Sequence, residues 1–145
     1  MGFLKSLLYN FLCVFFVNHL VPDIVVASYA KLPHIEGAII FAFSVGIINS
    51  AVFPLLRLFQ VPVSYLKIGI ITCIISFAAY SIVNLLPIGI KVISIKGFLI
   101  SACIVWIVAY LTNHMQFSKY KRHLEEEAIL KKKEEQEKKK EEEKK

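Results

Sequence analysis

The sequence predicts an all-α membrane protein, with four transmembrane helices arranged as two repeated helical hairpins and a charged helical or disordered C-terminal tail. The first observation behind this fold class is the distribution of charge, because residues 1–112 carry 8 charged side chains whereas residues 113–145 carry 20. Soluble domains average about 25% charged residues, so residues 1–112 carry too few charged side chains to form a water-soluble surface. The second observation is a series of four apolar runs. Together they exclude a soluble globular enzyme.

The four apolar runs predict spans at about residues 3–21, 37–59, 68–86 and 97–112. A helix crosses the hydrocarbon core with roughly 20 apolar residues, within a range of about 17–25. The second and third runs meet this length, whereas the first and fourth are short and require Lys5 and Lys96 to extend toward the headgroups. None of the runs alternates with the period of a strand, so helices are the predicted spanning element. Residues 1–112 therefore form the predicted transmembrane domain, and residues 113–145 a cytoplasmic charged tail.

The first run has an alternative interpretation as a cleaved signal peptide. Lys5 would supply its basic region, and Ser28–Ala30 its cleavage site. The stretch from Pro22 to Ala30 is long for a cleavage region, and the first run is also part of an internal repeat. A retained span is therefore favoured.

The basic residues beside the spans predict the orientation of the chain. With both termini in the cytoplasm, the inner side carries six of them: Lys5, Arg57, Lys67, Lys119, Lys121 and Arg122. The outer side then carries three: Lys31, Lys91 and Lys96. Because inner loops are enriched in positive charge, both termini are predicted to be cytoplasmic. The inner residues predicted to face anionic headgroups or to fix this topology are Arg57, Lys67, Lys119, Lys121 and Arg122.

The two halves of the predicted transmembrane domain resemble each other. Each half reads as a helix, a proline stop, a short β-branched segment, a glycine start and a second helix. The proline stops are Pro22 and Pro87, the β-branched segments are 24–26 and 90–95, and the glycine starts are Gly37 and Gly97. Two spans per half indicate a parallel repeat about an axis along the membrane normal. The alternation in the outer segments suggests that each lies at the interface as a short strand.

Polar side chains inside the runs are the main candidates for contacts between helices. The set comprises Asn10, Asn18, His19, Asn49, Ser50, Ser76, Ser81 and Asn84. Asn and Ser are predicted to hydrogen-bond across helices, and His19 is predicted to lie at the interface. No Asp or Glu lies within a span, and no Ser/His, paired Asp or metal-ligand constellation is present in the sequence. The sequence therefore predicts no enzyme activity, catalytic residue, cofactor, metal site or small-molecule substrate. It predicts no nucleic-acid partner either, because the positive excess lies mostly in residues 1–112 (+4), with +2 in residues 113–145.

A seam of small residues follows the second predicted span. Its members, at a strict four-residue spacing, are Ala38, Ala42, Gly46 and Ser50. Small residues at this spacing permit the close approach of two helices. The seam is predicted to pack either against another span of the same chain or against a second copy, which would make a homo-oligomer.

A spaced motif runs from the second predicted span into the third. Its skeleton is G-x2-N-x4-P-x7-P-x6-G, formed by Gly46, Asn49, Pro54, Pro62 and Gly69. Pro54 and Pro62 are predicted to frame a break that turns the chain at the inner face. Proline removes an amide donor and kinks a helix, and Asn49 is predicted to satisfy the backbone groups that the kink frees.

This motif resembles the small bacterial membrane proteins of the four-span phage holin family, of which YvlD-like proteins are typical. Pro87 and Gly97 fit the corresponding positions of the second half, and the resemblance covers about residues 3–112. The family often has a basic residue where this chain has Phe53, and a small or polar residue near Lys67. The resemblance implies a multi-pass protein of the bacterial cytoplasmic membrane.

Two functions are consistent with this resemblance. One is a non-enzymatic membrane scaffold or accessory component, and the other is a holin-like oligomer that permeabilises the inner membrane. The spans lack a polar stripe able to line an aqueous pore, which favours the scaffold. In both cases the predicted partner is the lipid bilayer.

Overall fold

The computed structural model describes residues 2–21, 24–26, 34–59, 64–85 and 90–142. Its elements are α1 (Phe3–Leu20), β1 (Ile24–Val26), α2 (His34–Leu58), α3 (Tyr65–Leu85), β2 (Ile90–Val92) and α4 (Ile95–Glu142). Each of the four helices contains a segment long and apolar enough to cross a membrane. The predicted fold of four membrane-spanning helices is therefore confirmed.

Two of the helices begin at a serine that caps the first turn. The Ser64 hydroxyl accepts a hydrogen bond from the Lys67 N–H at 3.3 Å, and the Ser94 hydroxyl accepts one from the Gly97 N–H at 2.9 Å. Each cap satisfies an amide donor that a helix leaves unpaired at its N-terminus. Because Ser94 already caps α4, the outer segment at 90–95 is a strand only over Ile90–Val92.

The helices pack as a four-membered ring in which α1 and α3 each contact both α2 and α4. α2 and α4 also meet across the ring. The buried centre includes Val14 of α1, Phe41 and Val45 of α2, Tyr80 of α3 and Val105 of α4. The Phe41 and Tyr80 rings meet edge to face, with centroids 5.3 Å apart. Because lipid tails are as apolar as these side chains, close packing and interhelical hydrogen bonds hold such a ring together.

The two hairpins, α1–β1–α2 and α3–β2–α4, are related by an approximate two-fold axis. β1 pairs antiparallel with β2, so that Ile24 lies opposite Val92, Val25 opposite Lys91 and Val26 opposite Ile90. In the repeat, residue n of β1 is equivalent to residue n + 66 of β2. Val25 and Lys91 are therefore equivalent in the repeat, and they are also paired in the sheet. The axis therefore passes between them. The predicted arrangement of two repeated helical hairpins is confirmed.

The buried faces of the first helix in each hairpin repeat with the same spacing. α1 buries Ser6, Asn10, Val14 and Val17. The residues at n + 66 in α3 are Thr72, Ser76, Tyr80 and Val83, and all four are buried. A polar residue matches a polar residue at the first two positions, so the repeat includes polar groups as well as the apolar core.

The small-residue seam of α2 lies inside the chain. Ala38, Ala42, Gly46 and Ser50 are all buried, and a Cβ at Gly46 would lie 3.1 Å from the backbone nitrogen of Phe11 in α1. The α1 backbone occupies the seam, as the intrachain alternative predicts. A homo-oligomer formed through this seam does not fit the structure, because α1 already covers it.

The helix α2 does not end at its proline. It continues through Pro54 to Leu58, and the Phe59 N–H still donates to the Leu55 carbonyl at 3.0 Å. The helix ends at Leu58, close to the predicted end of this span at residue 59, and so runs about one turn past the first of the two prolines predicted to frame the break. Other residues singled out in the sequence lie outside the described residues: Pro22, the segment 28–30, Lys31, Pro62 and Pro87.

The helix α4 does not end with its apolar run. The predicted span stops at Thr112, yet Asn113 and Gln116 are still buried. Every side chain from Lys121 to Glu137 is exposed. The packing of the bundle thus extends about one turn beyond the predicted span before the solvated part of the helix begins.

We expect Gly46→Ala to destabilise the bundle by about 1–3 kcal/mol, the usual cost of overpacking. The new Cβ would press on Phe11 backbone atoms 3.1 and 3.3 Å away, and backbone cannot rotate aside. Gly69→Ala is the matched control, because its Cβ would meet the Tyr110 ring at an ordinary contact distance of 3.4 Å. The measurement is the free energy of unfolding in detergent micelles. Equal stability of the two variants would contradict the close approach of α1 to α2.

Candidate functional site

A layer of polar side chains inside the bundle joins three helices through Asn10 of α1. This side chain is fully buried, and its Nδ2 lies 3.1 Å from the Ser50 hydroxyl of α2 and 3.0 Å from the Thr112 hydroxyl of α4. The same nitrogen lies 2.9 Å from the Ser6 carbonyl one turn earlier. Thr112 donates its own proton to the Ala109 carbonyl at 3.0 Å, so its oxygen accepts from Asn10. One amide group therefore connects α1 to both of its neighbours.

A second contact in this layer joins α2 to α3. The Ser76 hydroxyl donates to Asn49 Oδ1 at 2.8 Å, and both side chains are fully buried. Ser76 is the repeat equivalent of Asn10, so the first helix of each hairpin contributes a polar side chain toward α2. Hydrogen bonds between membrane helices contribute about 0.6–2 kcal/mol each. The expected interhelical bonds are present at Asn10, Asn49, Ser50 and Ser76.

The side chain of Asn113 completes the layer at the proline of α2. Its Nδ2 donates to the Asn49 carbonyl at 2.8 Å, and its Oδ1 accepts from the Phe53 N–H at 2.9 Å. Those two backbone groups are four residues apart, so an unbroken α-helix would join them to each other. Pro54 follows directly and has no N–H to donate. The Asn113 amide therefore bridges the α2 backbone where the helix carries its proline.

At these two backbone groups beside Pro54 the partner is Asn113 and not the Asn49 side chain. Asn49 Oδ1 accepts from Ser76, and Asn49 Nδ2 has no partner among the described residues. The predicted span ends at Thr112, which assigned Asn113 to the tail. Helical spacing could have indicated that Asn113 is buried, because it continues the series Ala102, Val105 and Ala109 on the buried face of α4.

Further polar contacts lie toward the end of the bundle that carries the strands. The Tyr80 hydroxyl of α3 donates to Asn18 Oδ1 of α1 at 2.8 Å. Asn84, the repeat equivalent of Asn18, accepts at its Oδ1 from the Val92 N–H at 3.1 Å and so ties α3 to β2. The His19 ring is exposed and lies 2.7 Å from the Phe15 carbonyl of its own helix. The interfacial role of His19 stays a prediction.

The motif residue Gly69 lies at the contact between α3 and α4. Its carbonyl accepts a hydrogen bond from Trp106 Nε1 at 3.2 Å, and the Tyr110 ring packs beside its Cα. Gly37 and Gly97 are equivalent helix starts, so the equivalent of Gly46 in α4 is Trp106, at n + 60. The two halves differ here, because glycine lets α1 approach α2 closely whereas an indole ring lies between α3 and α4.

The basic residues at the end opposite the strands fall into two groups. Arg57 and Lys119 line a single cleft of about 620 Å³, and the Arg57 guanidinium lies 4.5 Å from the centroid of the Tyr120 ring. The other residues predicted to face headgroups or fix topology are Lys67, Lys121 and Arg122, which are exposed and do not line this cleft. The structure therefore brings together only two of the five.

The chemistry available to the interior layer is hydrogen bonding by neutral amides and hydroxyls. Within the described part of the chain, no three His, Cys, Asp or Glu side chains are grouped so as to hold a metal ion. The thiols of Cys13, Cys73 and Cys103 are free. What this layer can do is hold the four helices in one arrangement.

We expect Asn113→Leu to destabilise the protein by about 1–3 kcal/mol, the cost of leaving buried polar groups unpaired. The change removes the bridge from the Asn49 carbonyl to the Phe53 N–H. Met115→Leu is the matched control, since Met115 lies two residues away on the same helix and is 51% exposed. The readouts are folded yield in the membrane and melting temperature in detergent. Wild-type values for Asn113→Leu would show that α4 does not support the proline site of α2.

Comparison with known proteins assigns this chain to a family. Neither the curated proteins nor the solved structures yielded a match to this chain. The model of a family described as "Mycobacterial 4 TMS phage holin, superfamily IV" matches residues 1–111. This range includes α1, α2 and α3 entirely and the apolar part of α4, so the match spans both hairpins. The resemblance seen in the spaced motif is confirmed, and the chain is a multi-pass membrane protein that belongs to the four-transmembrane-segment phage holin family, superfamily IV.

Proposed function

We propose that this protein is a non-enzymatic, non-lytic component of the bacterial inner membrane that acts as a scaffold or accessory protein. The observation that carries the proposal is the inward orientation of the polar side chains. Asn10, Asn49 and Asn113 are each fully buried and bonded to other helices of the same chain. A stable, closed bundle of this kind is suited to presenting a fixed surface to lipid and to partners.

The outer surface of the bundle supports the same proposal. Among the described residues of the four helices up to Thr112, no Asn, Ser or Thr side chain is exposed. The exposed large side chains there are mostly Leu, Ile and Phe. A water-filled channel between several copies requires polar groups facing that channel. Copies that keep this fold would meet through faces on which the described helices expose no Asn, Ser or Thr.

A holin-like oligomer that permeabilises the membrane is the second candidate, and the name of the matching family favours it. For such an oligomer to conduct, the bundle would have to open and turn its polar layer outward. Opening would break the contacts of Asn10, Asn49 and Asn113, and each buried group left unpaired costs about 1–3 kcal/mol. Contacts with other copies would have to offset this loss of free energy.

We place both termini in the cytoplasm. The support is positional, because Arg57, Lys67 and Lys119 lie at the end of the bundle away from β1 and β2, and inner segments are enriched in positive charge. Reporter fusions after Lys145 and at Lys31 test this orientation. They are expected to report opposite sides of the membrane, and signals from the same side would refute it.

Controlled expression in bacteria, with membrane potential followed by a voltage-sensitive dye, tests the proposed function. We expect the potential to hold steady while membrane-inserted protein accumulates, because the polar layer stays closed within each chain. A protonophore added at the end supplies the control for full depolarisation. Collapse of the potential at a defined time after induction, with folded protein in the membrane, would instead establish the holin-like function.

A further inference from the structure

The cleft beside Arg57 has a polar wall and an apolar wall. It lies between the last turn of α2 and the part of α4 that follows Thr112, with the start of α1 beside it. Its lining includes Phe3, Phe53, Arg57, Gln116, Lys119 and His123. The cleft lies at the end of the apolar segments, where the headgroups of a lipid leaflet begin.

The polar wall presents donors and positive charge. The Arg57 guanidinium is stacked over the Tyr120 ring at 4.5 Å, which holds it in place. Gln116 lines the same cleft and is only 6% exposed, and its Nε2 has no hydrogen-bond partner among the described residues. No carboxylate is among the described lining residues. Two cations and an unpaired amide donor together suit an anion with several acceptor oxygens.

The apolar wall and the position of the cleft identify the source of that anion. Phe3, Phe53 and Leu58 give the cleft aromatic and aliphatic surface next to its charges. A free phosphate ion has no apolar part to contact this surface, whereas a phospholipid carries its phosphate directly beside its acyl chains. We propose that this cleft is a binding site for the phosphate of an anionic phospholipid, held by Arg57, Lys119 and the Gln116 amide.

The proposal differs from general attraction of basic residues to an anionic leaflet. Such attraction treats each exposed Lys or Arg near the surface about equally. Lys121 and Arg122 are also basic, exposed and close to the membrane end of α4, yet neither lines the cleft. A built site requires Arg57 and Lys119 to matter much more than this neighbouring pair.

The test measures binding of fluorescent short-chain phosphatidylglycerol to the purified full chain in detergent. The variant Arg57→Gln/Lys119→Gln is compared with Lys121→Gln/Arg122→Gln, which removes the same charge. We expect binding to weaken about tenfold in the first variant and less than about twofold in the second. Equal loss in both variants, or loss in neither, would overturn the proposal. The single variant Lys119→Gln, which changes an exposed side chain, is expected to weaken binding in the same direction if the double variant fails to fold.

Two further arms separate a lipid site from its alternatives. Unlabelled phosphatidylglycerol should compete with the probe, whereas phosphatidylcholine and inorganic phosphate should not. Competition by inorganic phosphate at concentrations similar to those of the lipid would assign the cleft to a free anion and overturn the lipid proposal. Gln116→Leu removes the unpaired donor, so we expect weaker lipid binding with a melting temperature equal to or above the wild type. Unchanged lipid binding in Gln116→Leu would show that this amide does not hold the phosphate.

Discussion

The amide of Asn113 joins α4 to the backbone of α2 immediately before Pro54. Polar groups in the hydrocarbon have no water to bond with, so their partners must come from the protein itself. Pro54 removes one donor from the α2 ladder, and Asn113 bridges the Asn49 carbonyl and the Phe53 N–H just before it. This support is consistent with α2 continuing to Leu58. The position of Arg57, and with it the cleft at that end, depends on that last turn.

The two hairpins have the same order of elements and differ in how closely their two helices approach each other. Their strands pair about the two-fold axis, and Asn10 and Ser76 occupy equivalent buried positions. In the first hairpin Gly46 lets α1 lie against α2, which brings Asn10 within 3.1 Å of Ser50. In the second hairpin the equivalent position is Trp106, whose indole bonds to the Gly69 carbonyl. One repeat therefore forms a close interface and the other a wider aromatic one.

Much of this arrangement is readable from the sequence, because a membrane span has a fixed length and composition. The four helices, the two short strands and the interhelical bonds of Asn10, Asn49 and Ser76 follow from apolar runs, β-branched segments and isolated polar residues, whereas the pairing of the strands was not predicted. The end of the packed region on α4 does not follow from the sequence, because burial extends past the apolar run to Gln116. The partner of the α2 backbone beside Pro54 does not follow from the sequence either, because Asn113 lies 60 positions away from Phe53. Local pattern identifies which residues need partners and leaves the choice of partner to the tertiary structure.

We infer that the polar layer is closed within each chain and sealed from water. The most direct measurement uses a background in which Cys13, Cys73 and Cys103 are replaced by alanine, with a single cysteine introduced by the near-isosteric change Ser76→Cys. Native membranes are treated from both sides with a membrane-impermeant thiol reagent, and His123→Cys, exposed on α4, serves as the reactive control. We expect rapid labelling of His123→Cys and labelling of Ser76→Cys only after denaturation. Comparable labelling of both cysteines in native membranes would show that water reaches the layer, and would contradict a closed bundle.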